Sequence, residues 1–156
     1  MTDEHYMRMA IAKTKAGIAA GQSPFGSVIV HGDRVVAEAH NTVWRDTDPT
    51  AHAEVNAIRQ AARALGTIDF TGVTLYTTCE PCPMCLAASH WARVTRIVYG
   101  ATIADAQKAG FNELTVSART MITEGGSHMR IDSDCCREEC AGLFELFLTS
   151  GKAKTY

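Results

Sequence analysis

Tyr6, Met9, Ala10, Lys13, Ala16 and Ala20 fall at helical spacing and Gly21 supplies a stop, so the pattern predicts a first helix over about Asp3 to Ala20. The period then changes. Phe25 to Val30 and Val35 to Ala39 are short β-rich runs separated by His31-Gly32-Asp33-Arg34, which predicts a hairpin. A polar loop, Asn41 to Thr50, ends in Asp48-Pro49-Thr50. Next come a helix from about Ala51 to Leu65, a strand Val73 to Thr77, a helix from Cys82 to about Ala92 and a strand Arg96 to Gly100. Ser133 to Leu148, with Leu143, Phe144, Phe147 and Leu148 at helical spacing and Ser133 or Asp132 as cap, reads as the last helix. Gly110 to Gly126 shows no interpretable period, and no internal repeat or low-complexity segment is present.

Strand, helix, strand, helix, strand is the order of parallel pairing, with right-handed crossovers that place both helices on one face of a sheet. Their N-termini then meet beyond the carboxyl ends of the strands, where open α/β sheets bind ligands. The first and last helices are left to cover the other face.

Chemistry concentrates at those two helix starts. His52 and Glu54 flank Ala53, and thirty residues later Pro81-Cys82-Pro83-Met84-Cys85 carries two thiols three apart, on one face of a helix. Pro83 fits only at the beginning of that helix, which puts the sulfurs at the positive end of its dipole and favours the thiolates that a metal requires. Residues two apart in a regular helix diverge by roughly 200°. His52 and Glu54 are therefore expected at a helix entry, with Thr50 as the cap, so that one binds metal while the other faces its water. Three N and S donors with a fourth position for water describe catalytic zinc, and the uncommitted Glu54 supplies a general acid and base.

Two other metal readings use the same residues. Cys79-x-x-Cys82-x-x-Cys85 begins an iron-sulfur run, but position 89 is serine and the run is incomplete. A closed structural zinc would take Cys79 as its fourth ligand, whereas Cys79 also reads as a small buried residue at a strand end. Cys135, Cys136 and Cys140 are read as ordinary thiols on or under the last helix, with a second metal site as the alternative.

A chain of 156 residues with 46% apolar and 21% charged positions is expected to form one domain over 1–156, without disulfides. Asp3, Glu4, Arg8, Lys13 and Lys15 interrupt the first twenty residues, so neither a signal peptide nor a membrane anchor is expected, and the cytoplasm is the expected compartment. A net charge of −2 provides no basic field for a nucleic-acid polymer and favours a small substrate. Lys152 and Lys154 read as a solvated tail.

With Asp48-Pro49-Thr50-Ala51-His52-Ala53-Glu54 and Thr78-Cys79-Glu80-Pro81-Cys82-Pro83-Met84-Cys85 in view, the chain resembles the cytidine deaminase-like superfamily. Within it, the chain is similar to the branch of bacterial guanine deaminases and tRNA adenosine deaminases, from Ser23-Pro24-Phe25-Gly26 to the end. The resemblance implies a three-layer α/β/α fold with a mixed, about five-stranded sheet. It also implies one zinc on His52, Cys82 and Cys85, Glu54 as proton shuttle, and a homodimer in which the C-terminal tail caps a neighbour's pocket. Trp91, the segment Ala109 to Glu113 and Tyr156 resemble the guanine group's substrate-closing elements, although that group carries Asp where this chain has Glu113.

The expected substrate contacts are Phe25, Asn41, Ala53, Trp91, Glu113 and Tyr156. Phe25 and Trp91 can sandwich a flat ring, Asn41 can meet a ring carbonyl or nitrogen, and Glu113 can accept from an amino group. Phe25 and Trp91 equally suit core packing, and Glu113 a solvated loop. The expected reaction is hydrolytic deamination of a free purine, guanine to xanthine, within purine metabolism. The alternatives are adenosine in tRNA, cytosine or another aminated ring, and a non-catalytic zinc-stabilised interaction module.

Overall fold

The segment Gly26–His31 is buried over its first five residues, the mark of a strand with both faces covered. The computed structural model describes residues 1–156. In chain order the elements are α1 (Asp3–Ala19), β1 (Gly26–His31), β2 (Arg34–His40), α2 (Val43–Asp46), α3 (Ala53–Leu65) and β3 (Val73–Cys79). They continue with α4 (Pro83–Trp91), β4 (Arg96–Ala101), α5 (Ile103–Lys108), α6 (Ala118–Gly125), β5 (Arg130–Asp132) and α7 (Arg137–Thr149).

The five strands lie in the order β2-β1-β3-β4-β5. β1 is antiparallel to β2 and to β3, whereas β3, β4 and β5 are parallel. The sheet is therefore mixed, as the resemblance implied.

Alternate residues of each strand enter opposite layers. Ile29, Leu75 and Ile97 pack with Ala57 and Ala61 of α3 and Leu86 of α4. Val28, Tyr76 and Val98 pack with Met7 and Ala10 of α1 and Leu143 and Phe147 of α7. Each large apolar side chain buried this way contributes about 1.5–3 kcal/mol, enough in sum to hold three layers in register. The two helices that carry the metal motif share one face, and the first and last helices cover the other.

β2 and β3 point the same way, since each is antiparallel to β1. The chain leaves both at one end of the sheet, and α3 and α4 begin there.

Three expectations are corrected. Thr50 does not cap α3, because its hydroxyl donates to Asp48 Oδ1 at 2.7 Å; His52 is the N-cap, with no side-chain capping bond. The last helix begins at Arg137 rather than Ser133, and Asp132 ends the three-residue strand β5, too short to show a period of its own. Gly110 to Gly126 contains α6, capped by the Ser117 hydroxyl. The terminal lysines are exposed, as expected, but each is also tethered: Lys152 Nζ donates to Ala19 O at 2.9 Å and Lys154 Nζ lies 3.7 Å over the Trp44 ring.

Candidate active site

Two helix starts build the metal centre. His52 and Cys82 occupy the N-cap positions of α3 and α4 with extended backbones, and neither spends its side chain on capping. Both side chains are free to point across the gap. His52 Nδ1 lies 3.7 Å from Cys82 Sγ and 3.5 Å from Cys85 Sγ. Ordinary Zn–S and Zn–N bonds in a tetrahedron separate the ligand atoms by about 3.6 Å, so donor type and spacing both fit zinc. His52, Cys82 and Cys85 form the one cluster in the chain able to hold a metal with three or more His, Cys, Asp or Glu donors. Cys79 is outside it, buried at the end of β3 with its thiol donating to Thr102 O at 3.4 Å. Cys135, Cys136 and Cys140 form no such cluster either.

The two ligand thiols share a proton in the metal-free protein. Hydrogen bonding from Cys85 pushes the Cys82 thiol down to about 4. The same bond, with burial, holds Cys85 well above the usual thiol range. Burial opposes charging of His52, but the Cys82 sulfur and the Glu54 carboxylate outweigh it, and the ring's pKa is raised.

Glu54, in the first turn of α3, is only 5% exposed and is not part of the three-donor cluster. Burial first, and the Cys82 charge second, raise its pKa. Thr77 Oγ1 donates to Glu54 Oε1 at 3.1 Å, and Ser27 Oγ donates to Thr77 Oγ1 at 3.2 Å. Ser27 and Thr77 are cross-strand partners and fully buried. Their hydroxyls hold the carboxylate from beneath the sheet end. Polar residues on strands buried on both faces are the sequence signal for this relay.

A cleft of about 270 Å³ opens onto His52, Glu54 and Cys82. Phe25, Phe111, Glu113 and Tyr156 form further walls. Phe25 serves wall and core together, with its ring edge-on to Phe111 at 5.0 Å and Phe144 at 5.8 Å. Glu113 is not a solvated loop carboxylate. Burial, followed by the Cys82 charge, pushes it up to about 7.

Tyr156 lines the cleft of its own chain. Its ring lies 5.9 Å from His52 and 5.7 Å from Phe111. Its carboxyl-terminal oxygen accepts from the Asn112 N–H at 3.0 Å, and upstream Trp44 Nε1 donates to Lys154 O at 3.0 Å.

Three expected contacts lie elsewhere. Trp91 is 82% exposed and absent from the cleft. It ends α4, about 13 Å along the axis from Cys82, which begins it. Asn41 is fully buried, with Oδ1 accepting the Val43 N–H at 3.1 Å and Nδ2 donating to the Tyr156 hydroxyl at 2.7 Å. Its amide is thus engaged in a local turn and by the tail, behind the Tyr156 wall of the cleft rather than on it. Ala53, in the first turn of α3, is also fully buried and does not line the cleft.

Residues 1–101 match the family model described as the cytidine and deoxycytidylate deaminase zinc-binding region. Guanine deaminase of Bacillus subtilis (strain 168) is 46% identical over 114 residues, 72% of this chain and 73% of that protein. The tRNA-specific adenosine deaminase of the same organism is 35% identical over 153 residues, 97% of this chain and 92% of that protein. A solved structure of guanine deaminase from Nitrosomonas europaea is similar with a TM-score of 0.84 at 25% identity, covering 92% of this chain and 83% of that one. The matched zinc-binding region includes the three-donor cluster, and zinc is the cofactor.

Proposed function

The chain belongs to the cytidine and deoxycytidylate deaminase zinc-binding family, and on that premise we propose that it is a single-domain hydrolase converting free guanine and water to xanthine and ammonia. The substrate assignment rests on Glu113, a carboxylate that lines the same cleft as the metal motif. Guanine presents an amino group and a neighbouring ring N–H at the carbon that reacts, two donors suited to an ionised carboxylate. At the amine-bearing carbon of adenine the one neighbouring ring nitrogen is an acceptor, which a carboxylate repels. Bacillus subtilis guanine deaminase, at 46% identity, supports the same assignment.

His52, Cys82 and Cys85 would hold the zinc, which when bound supplies a Lewis acid that acidifies water. Glu54 takes the proton from the water that adds to the amine-bearing carbon. It returns that proton to the ring nitrogen and then carries a second, from the hydroxyl of the adduct, to the departing amine as the carbonyl forms and ammonia leaves, with Thr77 fixing the carboxylate between transfers. Phe25 and Phe111 press on the ring, and Tyr156 excludes bulk water. A cleft of about 270 Å³ closed by the terminal tyrosine suits one base rather than a nucleic-acid strand, and the net charge of −2 agrees.

Purified zinc-loaded protein should release ammonia from guanine, and far less from adenine, cytosine or adenosine in tRNA. Preference for tRNA would remove the assignment. The guanine KM should also depend on Glu113. Because the ionised form accepts, binding strengthens as pH rises through its pKa of about 7 in the metal-free protein. Zinc offsets the Cys82 charge that helps raise that value, so the limb belongs at or below 7. A profile of kcat/KM against pH should show it, and Glu113→Gln should erase it.

The tail makes a separate prediction. Deleting Lys152 to Tyr156 removes the Asn41–Tyr156 bond and the Trp44–Lys154 stack. The guanine KM should rise about tenfold while kcat changes less, since the lost contacts act on binding. Unchanged kinetics would leave the segment without a part in the reaction.

A homodimer and a cytoplasmic location complete the proposal. Exposed Trp91 beside exposed Ile68 supports a second copy on that face, and sedimentation tests it. No helix is long and apolar enough to cross a membrane, and all six cysteines are free, which suits a reducing compartment.

A further inference from the structure

Glu80 stands between the end of β3 and the metal-binding turn, yet its carboxylate serves distant backbone. Oε2 accepts the Ile103 N–H at 3.2 Å and Oε1 accepts the Ala118 N–H at 3.0 Å. Ile103 and Ala118 are the first residues of α5 and α6, so each offers a donor that its own helix leaves without a partner.

The two bonds fasten the ends of one segment, and that segment carries Phe111, Asn112, Glu113 and Leu114 to the cleft. Its halves are held unequally. On the approach, the Phe111 N–H donates to Ala106 O at 3.2 Å and the Asn112 N–H donates to Tyr156 at 3.0 Å. On the return, residues 114 to 116 make no backbone hydrogen bond, and Leu114 and Val116 are 67% and 43% exposed. Beyond Glu113, the fully buried Ala118 is where the chain is next tied to the body of the protein.

We infer that Glu80 is a positioning residue, whose carboxylate clamps both ends of the 103–118 segment to the metal-binding turn and thereby sets where Glu113 stands in the cleft. The inference rests on the reading of Glu113 as the acceptor for the base. Glu80 acts through Glu113 and needs no contact with the ring. Alanine at position 80 removes both bonds. Glutamine keeps one acceptor and turns an amide donor toward the other N–H.

Deuterium exchange and guanine kinetics on the zinc-loaded full chain test this together. In Glu80→Ala, amides of residues 109 to 118 should exchange about tenfold faster while β3 and α3 keep their protection, with Glu80→Gln intermediate. The guanine KM should rise about tenfold with a smaller change in kcat. In a Glu113→Ala background, adding Glu80→Ala should change kcat/KM less than about twofold, because the two substitutions remove one interaction. Unchanged exchange in both Glu80 variants, or penalties that multiply in the double variant, would overturn the inference. Should Glu80→Ala fail to fold, Glu80→Gln carries the same comparisons. If the unsubstituted protein released no ammonia from guanine, the substrate reading would fall, and exchange would still decide whether the clamp exists.

Discussion

Glu54→Gln is expected to lower ammonia release from guanine by about 10²–10⁴-fold while zinc content and thermal stability stay close to those of the unsubstituted protein. Glutamine keeps the length of the side chain and an oxygen for the Thr77 hydroxyl, which donates to Glu54 Oε1 at 3.1 Å. It cannot accept and return a proton. The metal ligands are untouched, because Glu54 lies outside the cluster of His52, Cys82 and Cys85. Glutamine also removes a carboxylate whose charge burial penalises, so its stability cost is small. Atomic absorption and steady-state kinetics on the same sample separate the outcomes. Turnover within a few-fold of the original would take the proton transfer away from this residue, and loss of zinc would make Glu54 a ligand instead.

The metal motif was legible because its information is local. Pro83 fixes where α4 begins, and two thiols three apart on a helix have one face to share. The meeting of Cys82 with a histidine thirty residues earlier follows from strand direction rather than from the expected pairing: β1 lies between β2 and β3, yet these two run the same way and both end at the edge where α3 and α4 start. Distances along an element were harder. Trp91 belongs to the right helix but to its far end, and periodicity gives a face without saying how far along it the cleft extends. Asn41 was expected to meet the base, yet its amide is engaged by Val43 and Tyr156, the second of them 115 residues away. Glu80 lay inside the motif that carried the resemblance, and its partners are 23 and 38 residues further along. Nothing in local spacing marks a carboxylate that binds remote backbone. β5 escaped notice for a simpler reason, being three residues long.

Zinc removal should abolish turnover while leaving the chain folded, and zinc affinity should climb with pH. The layers on both sides of the sheet are filled by apolar side chains that do not touch the metal, so far-ultraviolet circular dichroism should survive chelation. Only the local stability conferred by ion binding is lost. In the metal-free protein the Cys82 thiol is pushed down to about 4 and is already ionised at neutral pH. Cys85 is held above the usual thiol range and must give up its proton on binding. About one proton is therefore released per ion between pH 7 and 8, and affinity should rise about tenfold over that unit. The slope steepens on the acid side, where His52, whose pKa is raised, must also be deprotonated. Cys85→Ser replaces the thiol with a hydroxyl that does not ionise in this range, and it should lose the ion on dialysis with its pH dependence. Competition titrations against a chelating dye at several pH values measure both slopes. A flat profile would mean that Cys85 is not the sulfur that ionises, and full retention of zinc by Cys85→Ser would remove it from the ligand set.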